Sequence, residues 1–86
     1  MIVLVPSPLH SYTSGASRVE AMGSTLREVL DHLDARYPGF RFRIIDEQDR
    51  VRPHIRLFVN ARLAPSIDRP LDASDQVQII CALSGG

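Results

Sequence analysis

The stretch Thr25-Leu26-Arg27-Glu28-Val29-Leu30, running on to Arg36-Tyr37-Pro38-Gly39, decides how the rest of this chain folds. Thr25 and Glu28 stand at capping-box spacing, so the Thr25 hydroxyl can accept from the Glu28 amide while the Glu28 side chain reaches back. Leu26, Val29, Leu30, Leu33 and Tyr37 recur at helical spacing and make one apolar stripe, leaving Arg27, Asp31, Asp34 and Arg36 to face water. Pro38-Gly39 stops the helix. A single amphipathic helix needs a partner layer for its stripe, and that layer must come from the flanking segments.

Upstream, residues 1–5 form an apolar run closed by Pro6, the pattern of a buried strand. Ser7 to Gly15 is polar and rich in turn formers, and predicts a surface loop. Ala16 to Ala21, centred on Val19, returns as an antiparallel strand. Downstream, Phe40 to Ile45 fits either a short helical turn or an extended segment, and Asp46 to Arg52 fits an exposed turn. Ile55 to Val59 reads as a central strand with Ile55, Leu57 and Val59 on one face. Asn60-Ala61 predicts a tight turn, and Arg62 to Asp75 an irregular stretch interrupted by Pro65 and Pro70. Val77 to Leu83 is the last strand, with Val77, Ile79 and Cys81 inward and Ile80 outward, followed by a flexible Ser84-Gly85-Gly86 end. Strand, strand, helix, strand, strand gives a single α+β domain over residues 1–86. One main helix lies across a mixed sheet whose last strand is central. This is a β-grasp, or ubiquitin-like, arrangement.

Composition narrows the function. Eighty-six residues leave room for one domain. Ten arginines balance ten acidic residues, there is no Trp, and no basic run is interleaved with aromatics, which disfavours nucleic acid. The N-terminal apolar run is too short for a membrane span or a signal peptide, so a cytoplasmic protein is expected. Cys81 is the only cysteine and forms no internal disulfide. His10, His32 and His54 lie on different elements without metal-site spacing, so no metal is expected. All ten basic residues are Arg; without a lysine, isopeptide-linked chains of sister copies cannot form.

The helix motif, Arg52-Pro53-His54-Ile55, Leu57-Phe58-Val59-Asn60, Leu71-Asp72, Asp75-Gln76-Val77-Gln78-Ile79-Ile80 and the Ser84-Gly85-Gly86 ending together carry a resemblance. The chain resembles the ubiquitin-like sulfur-carrier family along essentially its whole length. That family includes the small subunit of molybdopterin synthase, the thiamine thiazole sulfur carrier and the carrier of a cysteine-synthesis route. The resemblance implies that the C-terminal carboxylate of Gly86 is adenylated by an ATP-using, E1-like activating enzyme. It further implies conversion to a thiocarboxylate and delivery of sulfur to a synthase. The chain would be a protein co-substrate, with ATP used by the partner and no cofactor of its own. As the molybdopterin type it would be a subunit of an enzyme. Length favours the molybdopterin and cysteine routes over the thiamine route and does not separate those two. A ubiquitin-like modifier joined through Gly86 to lysines of other proteins is the alternative.

The chemistry suits such an end. Gly85 and Gly86 lack Cβ atoms, so the backbone can enter a narrow slot. The terminal carboxyl, with a reference pKa of about 3.3–3.7, is ionised at neutral pH. Phe58 and Ile80, with Leu83 and Ser84 at the root of the tail, are the candidate partner-binding residues. The competing reading has Phe58 covered by the 40–45 segment. Arg50, Arg52 and Arg56 could add contacts to an acidic partner face, while Asp46, Glu47 and Asp49 are expected to be solvated. Two positions depart from the family pattern: Ala61 and Ser74 stand where glycine is usual, and both are expected to need φ > 0.

Overall fold

The computed structural model describes residues 1–82. It contains β1 (Ile2–Leu4), β2 (Arg18–Glu20), α1 (Leu26–Arg36), α2 (Phe40–Ile44), β3 (Ile55–Val59), β4 (Arg62–Leu63) and β5 (Gln76–Cys81). The sheet order is β2-β1-β5-β3-β4. β5 runs parallel to β1 (Val3 opposite Val77) and antiparallel to β3 (Leu57 opposite Ile79). The first and last strands thus meet in the middle of a mixed sheet, with α1 lying across one face. This is the expected β-grasp.

The period-2 rule sorts the strands cleanly. Val3, Val19, Ile55, Leu57, Val59, Val77 and Ile79 are buried on the inner face. Leu26, Val29, Leu30 and Leu33 of α1 are all buried among them. Each such side chain is worth about 1.5–3 kcal/mol of transfer free energy, an upper estimate because the unfolded chain is already partly collapsed. The capping box forms, with one shift from expectation. Thr25 Oγ1 accepts from the Glu28 amide at 3.2 Å, and Glu28 Oε1 accepts from the Ser24 amide at 2.8 Å. Gly23 is needed just before it, since a Cβ there would lie 2.7 Å from the Val29 nitrogen.

After Tyr37 the chain reverses through Gly39, at φ 92°, into α2. The 40–45 segment is therefore the helical turn, and it buries Phe40, Ile44 and Ile45 completely. Asp34, half-exposed, does more than face water. Its Oδ1 accepts from the amides of Gly39 (3.1 Å) and Arg41 (3.0 Å), joining the end of α1 to the start of α2. Asp49 is not merely solvated either. Its carboxylate takes Arg27 at 2.6 Å and Arg41 at 2.8 Å, while Arg27 also holds Asp68 at 2.8 Å and Arg41 holds Asp31 at 2.8 Å. Four segments distant in sequence are clipped together, a relation that no local pattern announces.

Smaller corrections follow from the same cause. The 7–15 loop contains a 3-10 turn at Ser7–Leu9 and buries Leu9 and Thr13, the latter through a 2.8 Å bond from its hydroxyl to the Ala16 carbonyl. The 62–75 stretch is not wholly irregular, because Arg62 and Leu63 pair with Val59 and Phe58 as β4. Asn60 (φ 50°) and Ala61 (φ 69°) are both left-handed, the signature of a two-residue hairpin turn. Ser74, by contrast, is not among the residues with positive φ. The turn before β5 closes instead through the Asp75 amide on the Asp72 carbonyl (2.9 Å) and the Asp72 amide on the Asp75 carboxylate (2.9 Å).

Candidate functional site at the root of the tail

β5 lies between β1 and β3; β1 pairs with Gln76 to Gln78, while the C-terminal half of β5 is held by β3 as far as Cys81. Cys81 pairs with Ile55, and the Ala82 amide donates to the His54 carbonyl at 2.7 Å. Ala82 thus closes the central strand, where Pro8, Arg52 and His54 line a hollow with Cys81. Leu83, Ser84, Gly85 and Gly86, predicted as the root and the working end of the tail, lie outside the described residues.

The outer face of the sheet carries the other predicted residues. Phe58 sits directly between Gln78 on β5 and Leu63 on β4, and Ile80 lies one step nearer the tail, opposite Arg56. Ile80 is 36% and Leu63 59% exposed, whereas Phe58 is half-buried. Phe58 belongs neither to the core nor to the side chains packed against it, so α2 does not cover it. Sequence reasoning missed Leu63, and it read 1–5 as wholly buried. Ile2 and Leu4 in fact share this outer face, half-exposed, with Leu4 opposite Gln78. Leu63 was within reach. A two-residue turn at Asn60-Ala61 fixes Leu63 opposite Phe58 once the hairpin register is followed one step outward.

Cys81 falls on the inner side as expected and is half-buried against the core. His10 and His32 serve the fold: His10 Nε2 lies 2.9 Å from the Val5 carbonyl, and His32 Nδ1 accepts from the Met22 amide at 3.0 Å. Among the described residues, no three His, Cys, Asp or Glu side chains converge as metal ligands would. Nor is any helix there long and apolar enough to cross a membrane. At the other end of β5, Asn60 donates to Asp75 (2.8 Å) and accepts from the Gln76 amide (2.9 Å), which fixes the strand's start. Hydrogen bonds from the Asp72 amide and then Asn60 hold the Asp75 carboxyl below the usual carboxylate range.

The ThiS family model matches residues 3–86, all but the first two positions. The chain belongs to the ThiS family. This ThiS-family chain is 30% identical to the sulfur carrier protein CysO of Mycobacterium tuberculosis, over 98% of its own length and 96% of its relative's. The crystal structure of M. tuberculosis CysO superposes with a TM-score of 0.89 at 26% identity, covering 95% of this chain and 98% of that one. A chain of the Amycolatopsis orientalis BexX/CysO complex gives 0.91 at 27% identity, covering 99% and 98%. Small archaeal modifier protein 1 of Methanosarcina acetivorans gives 0.81 at 21% identity, over 99% and 94%, a likeness of fold alone. The chain is thus a ubiquitin-like sulfur-carrier protein, a carrier and not an enzyme.

Proposed function

We propose that this protein carries sulfur for cysteine synthesis as a thiocarboxylate on Gly86. The supporting observation is the family match running through Gly85-Gly86, combined with the similarity to CysO along nearly the whole chain. Within the two routes that length left open, that similarity favours the cysteine route over molybdopterin.

The chemistry proceeds in two steps. A Gly86 carboxylate oxygen attacks the α-phosphorus of ATP held by an activating enzyme, pyrophosphate leaves, and an acyl adenylate results. Hydrosulfide then attacks the acyl carbon and displaces AMP, leaving a thiocarboxylate on the terminus for an accepting synthase. Carboxylate is a poor acyl electrophile, and adenylation supplies its leaving group. The acids, bases and nucleotide site belong to the partner; this chain binds no cofactor and supplies a rigid body and a slender tail. Phe58 and Ile80, extended by Leu63, form the apolar surface that docks the activating enzyme, and Leu83 and Ser84 add contacts at the root of the tail. The reaction belongs to the cytoplasm, where ATP is supplied.

The test is ATP–pyrophosphate exchange with the purified activating enzyme of the same host. Full-length protein is expected to support exchange, and removal of Gly85-Gly86 to abolish it with the fold intact. Exchange that survives the deletion contradicts the proposal.

A further inference from the structure

Three arginines from three segments lie around the C-terminal end of β5. Arg43 of α2 and Arg52 of the following loop line one hollow with Phe42, His54 and Cys81. Arg56 stands on β3 directly opposite Ile80. Arg52 is held in place: its Nε donates to the Phe42 carbonyl at 2.6 Å, and its guanidinium lies 4.3 Å from the centre of the Phe42 ring. Arg56 donates to the carbonyls of Pro53 (2.7 Å) and Ile55 (2.9 Å). Arg43 lies over the Tyr12 ring at 5.7 Å.

Arg27, Arg41 and Arg50 are matched by carboxylates, and among the described residues no carboxylate reaches salt-bridge distance of the other seven arginines. Of those seven, Arg43, Arg52 and Arg56 are the ones that lie around the end of β5. Asp46 feels the charge of Arg52, yet its oxygens are committed to the Gln48 and Arg50 amides and to the Arg50 side chain at 3.7 Å. Meanwhile Asp72 and Asp75 precede the start of β5, and Glu20 is two strands away in the same row as Gln76. In a chain of zero net charge, these three arginines form a cationic collar around the end of β5.

We infer that this collar docks on an acidic rim around the tail-accepting slot of the activating enzyme. The inference rests on the proposed adenylation and adds the charge of the surface that receives it. Residues 82–86 can span at most about 17 Å, so the end of β5 must come close to the mouth of the slot when Gly86 meets the α-phosphate. Cations fixed by stacking and backbone bonds lose little freedom on docking, and unpaired charge at an interface acts mainly on encounter and on salt dependence.

The experiment measures exchange kinetics with the activating enzyme for wild type, R52Q/R56Q, R43Q and R52K/R56K, from about 50 to about 300 mM NaCl. R62Q, at the far end of the sheet, is the control. The collar predicts a KM about tenfold higher for R52Q/R56Q at low salt, with kcat little changed and a flattened salt dependence. R43Q moves the same way, R52K/R56K recovers most of the loss, and R62Q matches wild type. Thermal melts separate a folding defect, which the lysine pair would not repair because lysine lacks the guanidinium fork. Glutamine variants with wild-type or lower KM overturn the inference, a lower KM meaning that the collar holds the chain's own terminal carboxylate. No exchange by wild-type protein overturns the adenylation reading itself, and the collar's role with it.

Discussion

At the residue scale, the hairpin turn is where backbone strain has a measurable cost. Ala61 holds φ 69°, a conformation that costs an L side chain about 1 kcal/mol and glycine almost nothing. Ala61→Gly is therefore expected to raise stability by about 0.5–1 kcal/mol, seen as a higher urea midpoint with the same slope. Ser74→Gly should give no such gain, because Ser74 takes an ordinary φ and glycine there only enlarges the freedom of the unfolded chain. Equal gains at the two sites would mean that the turns have been assigned wrongly. The sequence pointed to both positions alike. Two residues between β-patterned runs fix a hairpin geometry, whereas the turn before β5 had a second way to close, through the Asp75 carboxylate, that spacing alone does not reveal.

At the scale of elements, α1 and the strands were legible because each satisfies a local rule: a capping box, a 3.6-residue stripe, alternation in Ile55 to Val59. The clip joining α1, α2 and the loops around Asp49 and Asp68 was not, since Arg27 and Asp68 are brought together only by the finished fold. Hydrogen bonds from Arg27 and then Arg41 hold the Asp49 carboxyl below its ordinary value. A depressed carboxylate stabilises above its unfolded pKa, about 3.9, and the contribution disappears as pH falls through the lower folded value. The urea midpoint should thus fall with acidification below about pH 4. Asp49→Asn should lower the midpoint at neutral pH and make the acid limb shallower, with its φ of 62° retained because asparagine tolerates that region. A variant as acid-sensitive as wild type would mean that the clip carries no linkage.

At the scale of the whole molecule, the fold places a row of apolar groups on the outer face and the tail at the end of the central strand. Ile80→Ala and Leu63→Ala remove exposed surface, so each should cost less than about 1 kcal/mol of stability. In the exchange assay each should nevertheless raise KM several-fold, with the double variant worse than either. Unchanged kinetics in folded proteins would remove the docking surface. The two chemical futures of the tail, thiocarboxylate or isopeptide, share the adenylation step and are decided only by what becomes of Gly86. The direct test is the mass of the C-terminal peptide from protein isolated from its native host, with and without alkylation. The expected result is one oxygen replaced by sulfur, located on Gly86 and reactive to alkylation there, which distinguishes it from oxygen added at Met1, Met22 or Cys81. A plain carboxylate on the free protein, with the remainder joined through Gly86 to lysines of heavier species, would contradict it.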